Sequence, residues 1–200
     1  MNTKSNKFKK DVRYITVTAI MSAIACVLMI LEFSVPLVPS FLKFDFSDLP
    51  AFITSFAFGP LWGVAVQLIK NVLHLLFTHT GGVGELANFI VGSALILPAG
   101  FIYKYKKGVG GAVIGALCGT LFATVISLPV NYFITYPFYS QLLPMDQIIK
   151  MYQAIIPAAD TLPKALVFIN CPFTLVKGLV NTLLTFLVYK RLSPILKGKL

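Results

Sequence analysis

Apolar residues in this 200-residue chain run in long blocks separated by short polar breaks. Blocks at residues 14–35, 61–77, 84–103, 109–133 and 165–192 approach the about 20 residues that a helix needs to cross a bilayer. A sixth block, residues 49–58, is shorter, about 15 Å of helix against a hydrocarbon core of roughly 30 Å. The pattern predicts an all-α integral membrane bundle of six transmembrane helices in a single domain, the second helix short. One stretch fits neither lipid nor a polar loop: Phe41-Leu-Lys-Phe-Asp-Phe-Ser-Asp-Leu-Pro50 sets Lys43, Asp45 and Asp48 among three phenylalanines. It predicts a loop after helix one that caps a small-molecule site at one membrane face.

The breaks decide the topology. Gly59-Pro60 interrupts the chain, because proline cannot continue the preceding hydrogen-bond ladder. A single crossing over residues 49–77 would put Lys104, Lys106 and Lys107 opposite the basic N-terminus. A hairpin at Gly59-Pro60 keeps these lysines, the N-terminal cluster (Lys4, Lys7, Lys9, Lys10, Arg13) and the C-terminal cluster (Lys190, Arg191, Lys197, Lys199) on one side. Basic loops stay cytoplasmic, so the hairpin is favoured and both termini are expected inside. Gly111, Gly115, Gly119 and Ala123 recur every fourth residue, a comb that lets backbones pack closely. Residues 134–162 are expected to form the longest outer loop. Asn170 before Cys171-Pro172 reads as an N-cap, with an earlier, kinked start as the alternative. No sustained internal repeat supports an inverted-repeat transporter.

Composition narrows the class. The chain is 57% hydrophobic and only 12% charged, which suits a membrane protein. Seventeen basic residues against seven acidic ones would suggest nucleic acid in a soluble chain, but their confinement to one side explains the excess and argues against it. Cys26, Cys118 and Cys171 show no metal or redox spacing and read as small core residues. The basic N-terminus and first apolar block read as a retained helix rather than a signal peptide, since no clear cleavage site follows.

Ionisable and amide groups inside apolar spans face a cavity or a partner, because burying them alone is costly. Lys70, Asn71 and His74 lie in the outer half of the third block, and Glu85 and Asn88 share a face at the start of the fourth. Asn131 lies near the outer end of the fifth, and Lys177 and Asn181 lie four apart on the sixth. With the capping loop, these groups converge at similar depth toward the outside. Phe44, Asp45, Asp48, Glu85, Asn88, Asn131, Lys177 and Asn181 are the candidate substrate-binding set. Asparagine amides both donate and accept, which suits a neutral heterocycle edged with carbonyls and N–H groups. The loop phenylalanines suit a flat ring. Lys70 and Lys164 also fit simple snorkelling, and His74 a packing role. No metal-binding cluster is expected.

No phosphate-binding loop, serine elbow, metalloprotease motif or catalytic carboxylate pair is present, so neither an ATPase nor another enzyme is expected. The run at 41–50, Phe58-Gly-Pro60, Ile69-Lys-Asn-Val-Leu-His-Leu75 and Thr80-Gly-Gly-Val-Gly-Glu-Leu-Ala-Asn-Phe89 together resemble the riboflavin-specific substrate-capture (S) components of energy-coupling factor (ECF) transporters. The resemblance implies a six-helix fold with its site near the outer face, closed by the loop after helix one. It implies riboflavin as transported ligand, with no cofactor. It also implies an EcfT-like membrane coupling subunit and two cytoplasmic ATPases. S components of this kind carry an Ala-x-x-x-Ala motif on helix one that meets the coupling subunit, and Ala19-Ile-Met-Ser-Ala23 matches it. Packing within the bundle is the alternative for that pair. Alternatives for the whole chain are an S component for FMN or another vitamin, a stand-alone ion-coupled carrier using Lys70, His74 and Glu85 as a proton relay, and a membrane enzyme built on Glu85.

Overall fold

A computed structural model of the chain describes residues 2–196. Lys197 and Lys199 lie outside the described residues, and the side chains of Lys4, Lys7, Lys9, Lys10, Lys190 and Arg191 lie outside the described side chains. Helix α1 (Asn2–Ile30) leads into a two-stranded hairpin, β1 (Phe33–Ser34) and β2 (Lys43–Phe44), paired antiparallel with Phe33 opposite Phe44. Then follow α2 (Asp48–Phe58), α3 (Pro60–His74), a short 3₁₀ turn, α4 (Val83–Tyr105) and α5 (Val109–Val130). A π-helical turn (Asn131–Thr135) joins α5 to α6 (Tyr136–Leu142), and α7 (Met145–Gln153) lies in the connection beyond. The last helical run is α8 (Leu162–Ala165), a second π-helical turn (Leu166–Asn170) and α9 (Cys171–Leu196). Among the described residues, five helical runs are long and apolar enough to cross a membrane, and α2 is a shorter apolar helix beside them.

Consecutive spans run antiparallel, as the pairs of residues that touch across them show. Asp48 reaches Gln67 and Lys70, and a side chain at Gly63 would strike Ser55, so α3 folds back along α2 from a turn at Gly59. That glycine sits at φ +115°, a conformation open to few other residues. From α3 to α4 the contacts step regularly: His74 with Glu85, Asn71 with Asn88, Gln67 beside Gly92 and Gly63 beside Ile96. The hairpin at Gly59 therefore returns the chain to the end it left. Tyr14 of α1 stacks on Phe58 at 4.3 Å, and Lys107 lies over Tyr103, so the start of α1, the Gly59 turn and the α4–α5 turn share one end of the bundle.

The glycine comb packs against α4. A Cβ at Gly119 would stand 2.1 Å from the Leu95 carbonyl oxygen, and one at Gly115 2.7 Å from that of Ala99. Both obstacles are backbone, so no rotamer change relieves them. Gly119→Val should force α4 and α5 apart and destabilise the protein by about 1–3 kcal/mol or more, read as a lower melting temperature in detergent; an unchanged melt would refute this contact.

Four segments differ from expectation. The first helix stops at Ile30 rather than 35, because residues 33–34 pair with 43–44 and the tip between Pro36 and Pro39 places Leu37 at φ +73°. The fifth helical run continues to Leu142 rather than 133, and residues 134–162 hold helical structure. The last run begins at Leu162, after an extended Thr161, rather than at 165. Asn170 is therefore inside it and is not an N-cap.

Both π turns have one local cause. Tyr136 N–H donates to the Asn131 carbonyl and Cys171 N–H to the Leu166 carbonyl, five residues back, and each donor immediately precedes a proline, Pro137 or Pro172. The proline ring has no N–H and clashes with the carbonyl four residues back, so the ladder slips by one residue just before it.

On α1, Ala19 and Ala23 are exposed together with Ile20, Ile24 and Val27, whereas Ser22 and Ala25 face the bundle. The small-residue pair lies on the outside of the fold rather than in an internal contact.

Candidate functional site

At the bundle end opposite the Gly59 turn, a cavity of about 180 Å³ lies beneath the β1–β2 loop. Phe41, Leu42 and Lys43 of the loop line it, as do Asp48, Asn88 and Val91, Ser127, Asn131 and Thr135, Tyr136 and Tyr139, Asn170, and Phe173, Thr174 and Lys177. Of the candidate set, Asp48, Asn88, Asn131 and Lys177 share this one wall although they come from four helical runs.

Phe44, Asp45, Glu85 and Asn181 do not line the cavity and instead hold loops in place. Asp45 Oδ2 accepts from Lys177 Nζ at 2.6 Å, its Oδ1 from the Ser47 N–H at 2.8 Å, and its carbonyl from Asn181 Nδ2 at 3.3 Å. Burial alone would push the Asp45 carboxyl up, but the Lys177 and Lys70 ammonium groups outweigh it and hold the acid below the usual carboxylate range. Asp48 Oδ1 accepts from Lys70 at 2.9 Å and from Gln67 at 2.8 Å, and Lys70 also donates to Ser47 Oγ. Two buried ion pairs thus pin the segment after the hairpin to α3 and α9. Phe44 packs edge-on to Phe46 and Phe173, and Phe41 edge-on to Tyr136, Tyr139 and Tyr152. Glu85 pairs with His74 at 2.9 Å and accepts from Thr78 and Thr80, fastening the α3–α4 turn.

These partners change what the ionisable groups can do. Lys70, His74 and Glu85 are not three members of one relay: Lys70 is committed to Asp48, and His74 to Glu85. Lys164 is exposed and pairs with Asp160 one helical turn away. Lys177 remains at the cavity wall with its charge balanced by Asp45.

The amides are the free recognition groups. The Asn131 side-chain amide makes no hydrogen bond among the described residues and lines the cavity, so both its donor and its acceptor are open to an occupant. Asn88 accepts from Asn71 at 3.4 Å, too long to be a strong bond. Thr135 and Asn170 also line the cavity and were outside the candidate set. Thr135 Oγ1 is buried without a partner. Asn170 bridges two tyrosines, accepting from Tyr152 at 2.6 Å and donating to Tyr136 at 3.1 Å, while the two phenol oxygens also touch. Both residues belong to the π turns. Tyr136-Pro137 and Cys171-Pro172 were the available signals, since a proline within a helical run displaces the residues just before it.

The wall is therefore aromatic and aliphatic, with amides, hydroxyls, the ion-paired Asp48 and Lys177, and the loop lysine Lys43 placed around it. Such a lining orients a flat, largely uncharged molecule that carries ring carbonyls and N–H groups. Among the described residues, Lys43 is the lining lysine without a carboxylate partner, a single positive charge for a phosphorylated one.

Comparison with known proteins identifies the family. The riboflavin transporter RibU of Staphylococcus aureus (strain TCH60) is 34% identical over 197 residues, covering 98% of this chain and 96% of its own. The riboflavin transporter FmnP of Bacillus subtilis (strain 168) is 36% identical over 186 residues, covering 92% and 93%. A solved chain, described under "Structure and mechanism of the S component of a bacterial ECF transporter", superposes with a TM-score of 0.75 at 31% identity, over 94% of this chain and 99% of that one. The family profile described as "ECF transporter, substrate-specific component" matches residues 13–189, nearly the whole bundle. With its apolar helical runs, this multi-pass membrane chain belongs to the substrate-specific (S) components of ECF transporters.

Proposed function

We propose that this S component captures riboflavin from outside the cell in the amide-lined cavity and passes it inward through a membrane coupling subunit driven by two cytoplasmic ATPases. It performs no chemical step itself. The observation that carries the reading is the meeting of Asn88, Asn131 and Lys177 in one aromatic-walled cavity under the loop that Asp45 and Asp48 anchor. Riboflavin has a flat ring system with carbonyl and N–H groups along one edge and a polyol tail, which matches amides, hydroxyls and an aromatic wall. FMN would add about two negative charges, whereas the cavity's Lys177 is already balanced by Asp45 and Lys43 alone is left to meet them.

Orientation follows from charge. Arg13, Lys104, Lys106 and Lys107 lie at the end of the Gly59 turn, and basic residues mark the cytoplasmic side. This reading has both termini inside and the cavity outside. Ala19 and Ala23 are exposed on α1, where small residues let a coupling-subunit helix approach closely.

Titrating riboflavin into the detergent-purified chain should quench flavin fluorescence saturably, and no quenching at micromolar riboflavin would overturn the proposal. Asn131→Ala should weaken that binding by about 1–3 kcal/mol, roughly five- to 150-fold, because a buried polar group of the ligand loses its partner. Excess FMN should compete poorly in the same titration.

A further inference from the structure

A second cavity, of about 430 Å³, lies at the other end of the bundle. Tyr14 of α1, Ser55 and the Gly59 turn, Trp62 at the start of α3 and Lys104 and Lys107 after α4 surround it. We propose that this cavity seats the phosphate-bearing headgroup of an anionic phospholipid from the adjacent leaflet.

Depth favours a lipid. The cavity lies where the spans Asp11–Ile30 and Pro60–Phe77 begin and the span Val83–Tyr105 ends, which is the headgroup level. Tyr14, Trp62 and Tyr103 supply the amphipathic rings that settle there. Leu61 and Phe101 also line the cavity and are exposed, so hydrocarbon can cover them while the polar end sits deeper.

Charge favours an anion. Lys104 and Lys107 line the cavity, and Lys107 Nζ is held 4.7 Å from the Tyr103 ring centroid. The Arg13 guanidinium stands 5.8 Å from the ring of Phe58, itself on the wall. Among the described residues no carboxylate lines the cavity. Basic pockets between helices at a membrane face attract anionic headgroups. An independent mark lies on the wall: Ser55 is 1% exposed and its hydroxyl has no hydrogen-bond partner. Buried hydroxyls are ordinarily satisfied, and a phosphoryl oxygen is the acceptor that such a group lacks.

The test is native mass spectrometry of the delipidated full chain with phosphatidylglycerol, with phosphatidylcholine and inorganic phosphate as comparisons. One phosphatidylglycerol should be retained in preference to phosphatidylcholine. Lys104→Gln with Lys107→Gln should lower its affinity at least tenfold, since each cation near a membrane surface is worth roughly fivefold. Ser55→Ala, a milder variant that keeps both charges, should lower it several-fold. Lys150→Gln, which removes the same charge from α7, should leave it unchanged. Equal retention of phosphatidylcholine overturns the proposal, as does a loss with Lys150→Gln matching that of the double variant. Displacement of the lipid by inorganic phosphate overturns the lipid assignment as well. Far-UV circular dichroism and the lipid-free melting temperature, unchanged in each variant, separate loss of the site from loss of the fold.

Discussion

Lys177→Met should abolish tight riboflavin binding and also destabilise the protein, two effects that a simple ligand contact would not join. Lys177 lines the cavity and is the ion-pair partner of Asp45 at 2.6 Å. Removing it leaves a buried carboxylate unpaired, which costs about 3–5 kcal/mol. The same carboxylate accepts the Ser47 N–H next to Asp48, so its loss loosens the loop that roofs the cavity. The double variant Asp45→Asn/Lys177→Met should recover most of the stability, because removing both charges of a buried pair is often close to neutral. Its riboflavin affinity should stay low. Melting temperature and flavin titration on the same samples separate the two readouts; a single variant that melts like the parent would refute the latch. Acid should act on the same bond. The Asp45 carboxyl sits below its ordinary range, so its contribution is intact above that range and is lost as pH falls through the lowered value.

Ala19→Trp should leave riboflavin binding within about twofold of the parent while cutting uptake to background in cells that carry the coupling subunit and ATPases. Ala19 is exposed on α1, and no residue of α1 lines the cavity, so the new ring meets no binding residue. It would meet whatever helix packs on that face, and small-residue faces tolerate little added bulk. Ser22→Trp makes the contrast: Ser22 is fully buried and its hydroxyl donates to the Thr18 carbonyl, so that variant should lose stability instead. Normal uptake by Ala19→Trp would mean that α1 does not contact the coupling subunit through this face.

The candidate site was partly visible before the structure. Asn88, Asn131 and Lys177 stood out because an amide or ammonium in an apolar span has few reasons to be there. Asp45 and Glu85 stood out for the same reason, yet the structure spends them on loop anchorage. Buried charge signals a partner without saying whether that partner is a ligand or the protein itself. Thr135 and Asn170 were missed because hydroxyls are common in helices and because Asn170 next to Cys171-Pro172 imitates a helix start. The two π turns that carry them are each one residue of slippage, invisible to a helical repeat of 3.6.

By itself the sequence determined the class: apolar blocks with basic residues gathered at the chain ends and one turn, a Gly-Pro break that folds the second block back, and a glycine comb against a neighbour. Each of these is local, set by hydropathy, charge and backbone chemistry within a helix or a turn. Only the tertiary structure decided which polar groups face the cavity and which face one another. Lys177 and Asp45 lie 132 positions apart, and nothing in either neighbourhood names the other. Their distance is fixed by how α2, α3 and α9 pack together, and packing depends on every contact at once.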